Sequence, residues 1–540
     1  MIKRSTLAPF ALALLASTAM ACSASTGEDV SDDDDLASAY SSSEAILLDF
    51  EFDGSLVTDS AWDLNGTIND QMLYTIGHLN GDRSVGRLDA LELTNVKKEQ
   101  QADGTTKVSY HAKMPVSWGK KDAVPTSYSF TMPKVASYSG FQAFTTSYMH
   151  SCVEHGAHDV DSGSMWYYYR PSLSGCALKE ADVVKFTATV KVSKLNTTGK
   201  YPEYDKVWAD GELNVVSVFG KFEDGATSDV GIDGYNSYVT AIRNALSTFQ
   251  VTTTPASIPA SPGVANPDVT ISAKLPDGKK VNVTALLVDN VSSAPQSFYT
   301  RYNALSTKAD LISYNGHAGL GQNVRALAKH GTFVKGQYLI MFMNGCDTFA
   351  YVDGSMAQTR AAINTDDPTG TKYMDIVTNT MPSFFSSMPY ASLAIFKGLL
   401  SYSSPKTYQQ IFADIDRSQA VVVTGEEDNA FTPGANPPPP PADGWKGLNE
   451  SFTVTRSAEK RVSAAKLAPG KYAFTLEGTG DADLYVKVGA APTTKLYDCR
   501  PFLGGSKERC EVEVKSTSDV YVMVRGYAST STVKLVGRKP

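Results

Sequence analysis

Two stretches of the sequence carry residue types that could do covalent chemistry. "SYNGHAG" places His317 and "FMNGCDT" places Cys346, each after an apolar run and each beside glycine: Gly316 and Gly319 at the first, Gly345 at the second. A thiol attacks a carbonyl as the thiolate, and a nearby imidazole can supply that activation. The glycines permit sharp turns and close approach of a substrate backbone. The ordinary alternative is that a His and a Cys at strand ends are structural, and spacing alone does not separate the two.

Cysteine counting bears on the choice. The six are Cys22, Cys152, Cys176, Cys346, Cys499 and Cys510. Cys152 and Cys176 lie 24 positions apart and Cys499 and Cys510 lie 11 apart, so two local disulfides are the simplest pairing in an oxidising compartment. Cys22 stands at the boundary of an export signal. Cys346 is then left over, and a leftover Cys in an exported chain is either an inert buried hydrophobe or a reactive thiol.

Two further clusters compete for a function. "YMHSCVEHGAHD" gathers His150, Cys152, His155 and His158, a set that could bind zinc. A Cys152–Cys176 bridge would exclude Cys152 as a ligand, so the two readings oppose each other. Asp481 and Asp483 in "GTGDADLY" could hold calcium, although turn chemistry also accounts for them. No cofactor or metal is expected.

The elements that must position His317 and Cys346 read as an α/β fold. "LNVVSVFGKF", "KVNVTALLVDN", "DLISYNGHAG", "QYLIMFMNG" and "QAVVVTG" are continuous apolar runs, and "DVTISAKLPDGKK" is a hairpin. Between them "GYNSYVTAIRNALSTF" has helical spacing, with Val239, Ile242, Leu246 and Phe249 on one stripe. "QSFYTRYNALSTKA", "QNVRALAKHG" and "YMDIVTNTMPSFFSSM" also read as helical. Strands that are apolar throughout and joined by helices indicate a mainly parallel sheet covered on both faces. Functional residues then gather beyond the carboxyl ends of its strands, about 4.8 Å apart across neighbours.

This α/β domain is expected over 206–431. A β-rich domain over 44–205 precedes it, a proline-rich linker over 432–444 follows, and alternating strands over 445–540 form a β-sandwich. Lys3, Arg4 and "LAPFALALL" make residues 1–21 a signal peptide. Both an ordinary signal-peptidase site and a site resembling a bacterial lipoprotein box would cut before Cys22, and the second would lipidate it. Residues 22–43 are acidic and too polar to fold, so they read as a tether. The net charge of −8 and the lack of clustered Lys and Arg argue against nucleic acid as a partner.

"SYNGHAG" and "FMNGCDT" resemble the caspase-like cysteine peptidases, the group of clostripain, gingipain, legumain and the caspases, in order, spacing and apolar lead-in. The resemblance covers about 212–430. It implies a His317–Cys346 dyad and an oxyanion held by the backbone N–H groups of Cys346 and a residue after the His, here Ala318 where the family has Gly. It also raises a substrate pocket: if "QAVVVTG" runs parallel to the other strands, Glu426, Glu427 and Asp428 open onto the same face and could anchor a basic side chain. The C-terminal stretch "LAPGKYAFTLEGTGDADLYVKVG", with "VYVMVRGYASTSTVKL", resembles the bacterial pre-peptidase C-terminal domain, a small β-sandwich of secreted peptidases. Together these imply an exported cysteine endopeptidase that cleaves protein or peptide, secreted or anchored by lipid to the outer membrane. The alternative is a non-catalytic surface lipoprotein with a degenerate caspase-like domain that binds protein or polysaccharide.

Overall fold

The structure, a computed structural model, describes residues 44–539 apart from 61, 156, 158, 159, 197, 198, 426–428, 430, 434–444 and 446. The chain parts into two compact units between Pro433 and Gly434.

The first unit opens with an antiparallel sheet. Strands β1 (Ile46–Thr58) and β4 (Thr106–Trp118) pair along their whole length. Between and beyond them lie β2 (Ser84–Gly86), β3 (Glu92–Gln100), β5 (Ser127–Pro133) and β6 (Val183–Val192), in the order β2-β4-β1-β6-β5 with β3 also on β4. Alternation puts Leu48, Phe50 and Phe52 of β1 and Val108, Tyr110, Ala112 and Met114 of β4 into one core. A helix, Leu64–Asn80, covers that core, started by Asp63, whose side chain accepts from Gly66 N at 2.9 Å.

The larger sheet has eight strands: β7 (Glu212–Gly220), β8 (Gln250–Thr254), β9 (Asp268–Lys274), β10 (Lys280–Val288), β11 (Leu311–Asn315), β12 (Leu339–Asn344), β13 (Met374–Asn379) and β14 (Val421–Thr424), in the order β14-β13-β12-β11-β7-β10-β9-β8. The five strands β10, β7, β11, β12 and β13 pair in parallel. β9 joins β10 and β14 joins β13 antiparallel. Helices Val230–Leu246 and Met388–Leu400 bury one face with Val215, Val283 and Phe342, and helices Gln296–Ser306 and Gln322–His330 bury the other with Val218, Ile312 and Met341. Two buried faces are the reason these strands are apolar at consecutive positions.

Two expectations change here. "YMDIVTN" is strand β13 and not the start of a helix; the helix begins at Met388. Packed between β12 and β14, the β-branched Ile376, Val377 and Thr378 fit a pleated, two-sided site better than a helix. β14 is antiparallel to β13, where the expected substrate pocket required a parallel strand.

The second unit is a β-sandwich. Strands Leu448–Thr455, Gly470–Gly478, Glu508–Val514 and Thr530–Arg538 form one sheet, and Glu459–Leu467, Ala482–Val488 and Ser518–Gly526 form the other. Phe474, Leu476, Leu484, Val486, Val522 and Leu535 fill the space between them. Cys499 and Cys510 are bridged across a sequence separation of 11. Replacing both by Ala should cost this unit about 3 kcal/mol, the loop-closure entropy of so short a ring, read as a lower urea midpoint of its transition.

Candidate functional site

The carboxyl ends of β11 and β12 converge on one place. Asn315 pairs with Asn344 across the two strands, and His317 and Cys346 each follow two residues on. The loops touch: a Cβ on Gly345 would lie 2.6 Å from the Gly316 carbonyl oxygen and 3.3 Å from the Ala318 nitrogen. Beneath them is a buried polar network. Asn344 Nδ2 donates to Asn315 Oδ1 at 3.0 Å and to the Met388 carbonyl at 3.0 Å, and Ser383 Oγ donates to Asn344 Oδ1 at 3.0 Å. Ser392 Oγ completes it by donating to Asn315 Oδ1 at 2.7 Å. Gly345→Ala should push the two loops apart and lower stability by about 1–3 kcal/mol, measured as a drop in thermal midpoint.

His317 is half-buried between Phe222 and Phe385, with ring centroids 5.2 and 5.1 Å away. Its Nε2–H donates to the Phe222 carbonyl at 3.0 Å, leaving Nδ1 as the remaining ring acceptor. That carbonyl is held in place by Asp229, which caps the helix Val230–Leu246 at Ile232 N and accepts from Phe222 N and Glu223 N. Burial lowers the imidazole pKa; the Phe222 hydrogen bond and the Asp229 and Asp224 charges oppose it. His317 is thus held mostly neutral at neutral pH. Ala318, at φ −63°, heads the short turn Gly319–Gly321.

Cys346 is buried and disulfide-bonded, and no free cysteine occurs among the described residues. Its sulfur lies 3.6 Å from the Ser383 carbonyl oxygen, a contact and not a hydrogen bond, because a bridged sulfur carries no proton. Cys346 is therefore not the leftover thiol expected from the cysteine count, and without a thiolate there is no nucleophile at this position.

The expected acidic pocket rested on a last strand parallel to its neighbours, and β14 is antiparallel to β13. Val421 of β14 pairs with Asn379, at the carboxyl end of β13, while Thr424 pairs with Ile376. The end of β14 thus points away from His317, and Gly425 packs against the Met374 carbonyl at the opposite end of the sheet. Glu426, Glu427 and Asp428 lie outside the described residues.

At the histidine-rich loop, Cys152 is bridged to Cys176. His150, Glu154 and His155 line one cavity, with Glu154 paired to Arg170 at 2.8 Å, and His158 lies outside the described residues. Asp483 is paired with Arg500 at 2.7 Å, and Asp481 accepts from Gly505 N at 3.0 Å, which is ion-pair and turn chemistry. Among the described residues no three His, Cys, Asp or Glu side chains gather in a way that could hold a metal ion. Cys22 also lies outside the described residues, and no described helix is long and apolar enough to cross a membrane. Asp347, beside Cys346 in "NGCDT", was missed by sequence reading; it is fully buried in left-handed backbone at φ 51° and accepts from Asn80 Nδ2 at 3.1 Å.

Comparison with known proteins bears on the second unit. Residues 452–526 match the bacterial pre-peptidase C-terminal domain, and this domain is present in the chain. A zinc metalloprotease of Helicobacter pylori is 42% identical over 85 residues, which is 16% of this chain and 29% of that protein. A virulence metalloprotease of Vibrio anguillarum is 37% identical over 100 residues, 18% of this chain and 15% of its own. An alkaline serine exoprotease A of Vibrio alginolyticus is 45% identical over 58 residues, 11% of each chain. The chain thus spans less than a third of the length of these relatives.

These findings correct the expected function. The proteases that share this module are named as metalloproteases in the first two cases, which points away from a His–Cys cysteine peptidase, and the bridged Cys346 agrees. The zinc in the first relative's name does not fit the described residues here: Cys152 is in a disulfide, Glu154 is paired with Arg170, and His150 and His155 have no third ligand beside them.

Proposed function

We propose that this chain is an exported protease that acts on protein or peptide substrates. One observation carries the reading: its C-terminal module is 37–45% identical to stretches of three proteins named as proteases. The proposal commits to no metal-borne step, since the described residues offer no fitting ligand set. It includes export through a signal peptide over 1–21 and the domain bounds given above.

The proposal extends to the fold of the α/β part. The order β10-β7-β11-β12-β13-β14, with the last strand reversed and helices on both faces, supports a caspase-like architecture. That kinship is one of fold and carries no activity with it. The test is incubation of the purified full chain with a denatured protein and a mixed peptide library, followed by mass spectrometry. New peptide termini are expected. Substrates that stay intact across acid to alkaline pH would overturn the reading.

A further inference from the structure

We propose that the contact between the N-terminal β region and the loop after β12 is a pH-operated latch, with Asp347 as its titrating group. The contact is built from both sides. Ala45, Leu47, Ile76, Val85 and Tyr167 of the N-terminal region form one buried cluster with Phe349, Ala350 and Val422 of the α/β region. Ala45 N donates to the Val421 carbonyl at 2.8 Å, and Arg83 Nη2 donates to the Gln419 carbonyl at 3.1 Å. This region therefore covers the loop that follows Cys346, at the same end of the sheet as His317.

Asp347 sits in the middle of that contact with no exposed surface. Asn80 Nδ2 bonds Oδ1, while Oδ2 makes no well-formed hydrogen bond. The groups that face it are few. Tyr167 and Tyr351 hydroxyls lie nearby, and the Tyr167 hydroxyl favours the ionised form. Arg170 also favours it, but its guanidinium is engaged by Glu154 at 2.8 Å and by the Gly77 carbonyl at 2.6 Å. Glu154 opposes it. On the helix that carries Asn80, His78 is held neutral by burial, and in the turn that follows it Asp82 faces Lys120 and Tyr128. Burial dominates the sum and raises the Asp347 carboxyl from 3.8 to about 7.

The direction follows from linkage. The closed contact holds the neutral carboxyl, and an opened contact returns it to water and its ordinary value. The stabilisation is complete below pH 3.8, declines as pH rises, and is gone once pH passes through about 7. Acid closes the latch and neutral-to-alkaline pH loosens it, uncovering the strand-end loop. An N-terminal region held this way acts as a cover whose grip depends on the compartment.

The test is hydrogen–deuterium exchange on the full chain between pH 5 and 8, following the peptides that contain the Ala45 and Ala350 amides. Its readout does not depend on proteolysis, so failure here and failure of the protease reading are separable. After correction for intrinsic exchange, opening in the wild type should rise by up to about tenfold per pH unit between pH 5 and 7 and level off above. In Asp347→Asn, whose side chain stays neutral, opening should not change with pH. A flat wild-type profile, or the same rise in Asp347→Asn, would overturn the proposal. Should the variant not fold, the wild-type profile decides alone.

Discussion

Asp375→Ala should lower the stability of the first unit by about 4 kcal/mol, the largest effect expected of any single substitution considered. The carboxylate is buried in β13 and accepts from the hydroxyl of Tyr338 at 2.6 Å and from the hydroxyl of Tyr408. Tyr338 precedes β12 and also accepts from Glu203 N at 3.2 Å, while Tyr408 opens the helix Tyr408–Phe412. One side chain therefore ties the entrance of two strands to a helix on the face above them. Both phenols are pushed well above their ordinary pKa, first by burial and then by the Asp375 charge, so both remain donors at any accessible pH. Truncation strands two buried hydroxyls, and hydrogen bonds to a charged acceptor are worth about 1.5–3 kcal/mol each. Urea denaturation compares the variants by midpoint. Asp375→Asn, which keeps an oxygen that can accept both bonds, should recover most of the loss. An Asp375→Ala midpoint within error of the wild type would remove this anchor from the account.

Asn344→Leu should cost about 3 kcal/mol and act on the strand-end loops directly. Leucine fills a similar volume, so the effect is not a cavity. It leaves the Ser383 hydroxyl and the Met388 carbonyl without their buried partner and removes the amide link to Asn315. The backbone of Asn344 also receives the Gly316 N–H at 3.2 Å, so a shift here reaches the His317 loop. Exchange of the Gly316 amide should rise together with the fall in urea midpoint. Stability loss without faster Gly316 exchange would mean that the network supports the core and not the loops.

How much of this was legible depended on whether the chemistry of a segment is local. The strands β7, β10, β11 and β12 announce themselves because two buried faces demand apolar residues at every position, and no surface helix of that length would carry them. The helix Leu64–Asn80 does not, because several of its buried positions are polar. Gln71 is buried between the Pro133 carbonyl and the Tyr110 hydroxyl, and Asn80 reaches across to Asp347, so the apolar stripe is broken by residues whose partners are distant in sequence. The direction of β14 is equally hidden. "VVVT" is compatible with either direction, and the choice is made by the path of the chain from the helix Met388–Leu400 back to the sheet edge. That one reversal carries Gly425 to the far end of the sheet. The local bridges, Cys152–Cys176 and Cys499–Cys510, follow from short separations, whereas the state of Cys346 is a long-range fact that counting could not reach. His317 and Cys346 do meet at adjacent strand ends, because parallel register puts Asn315 opposite Asn344. Their meeting does not by itself make a nucleophile.

The central claim is that this exported chain cleaves proteins without a Cys346 thiolate. The direct measurement is the rate at which the full chain generates new termini in a denatured protein, before and after treatment with iodoacetamide under non-reducing conditions. The account predicts cleavage at the same rate in both samples, since no described cysteine is free to be alkylated. A substrate left intact, or cleavage that iodoacetamide abolishes, would contradict it.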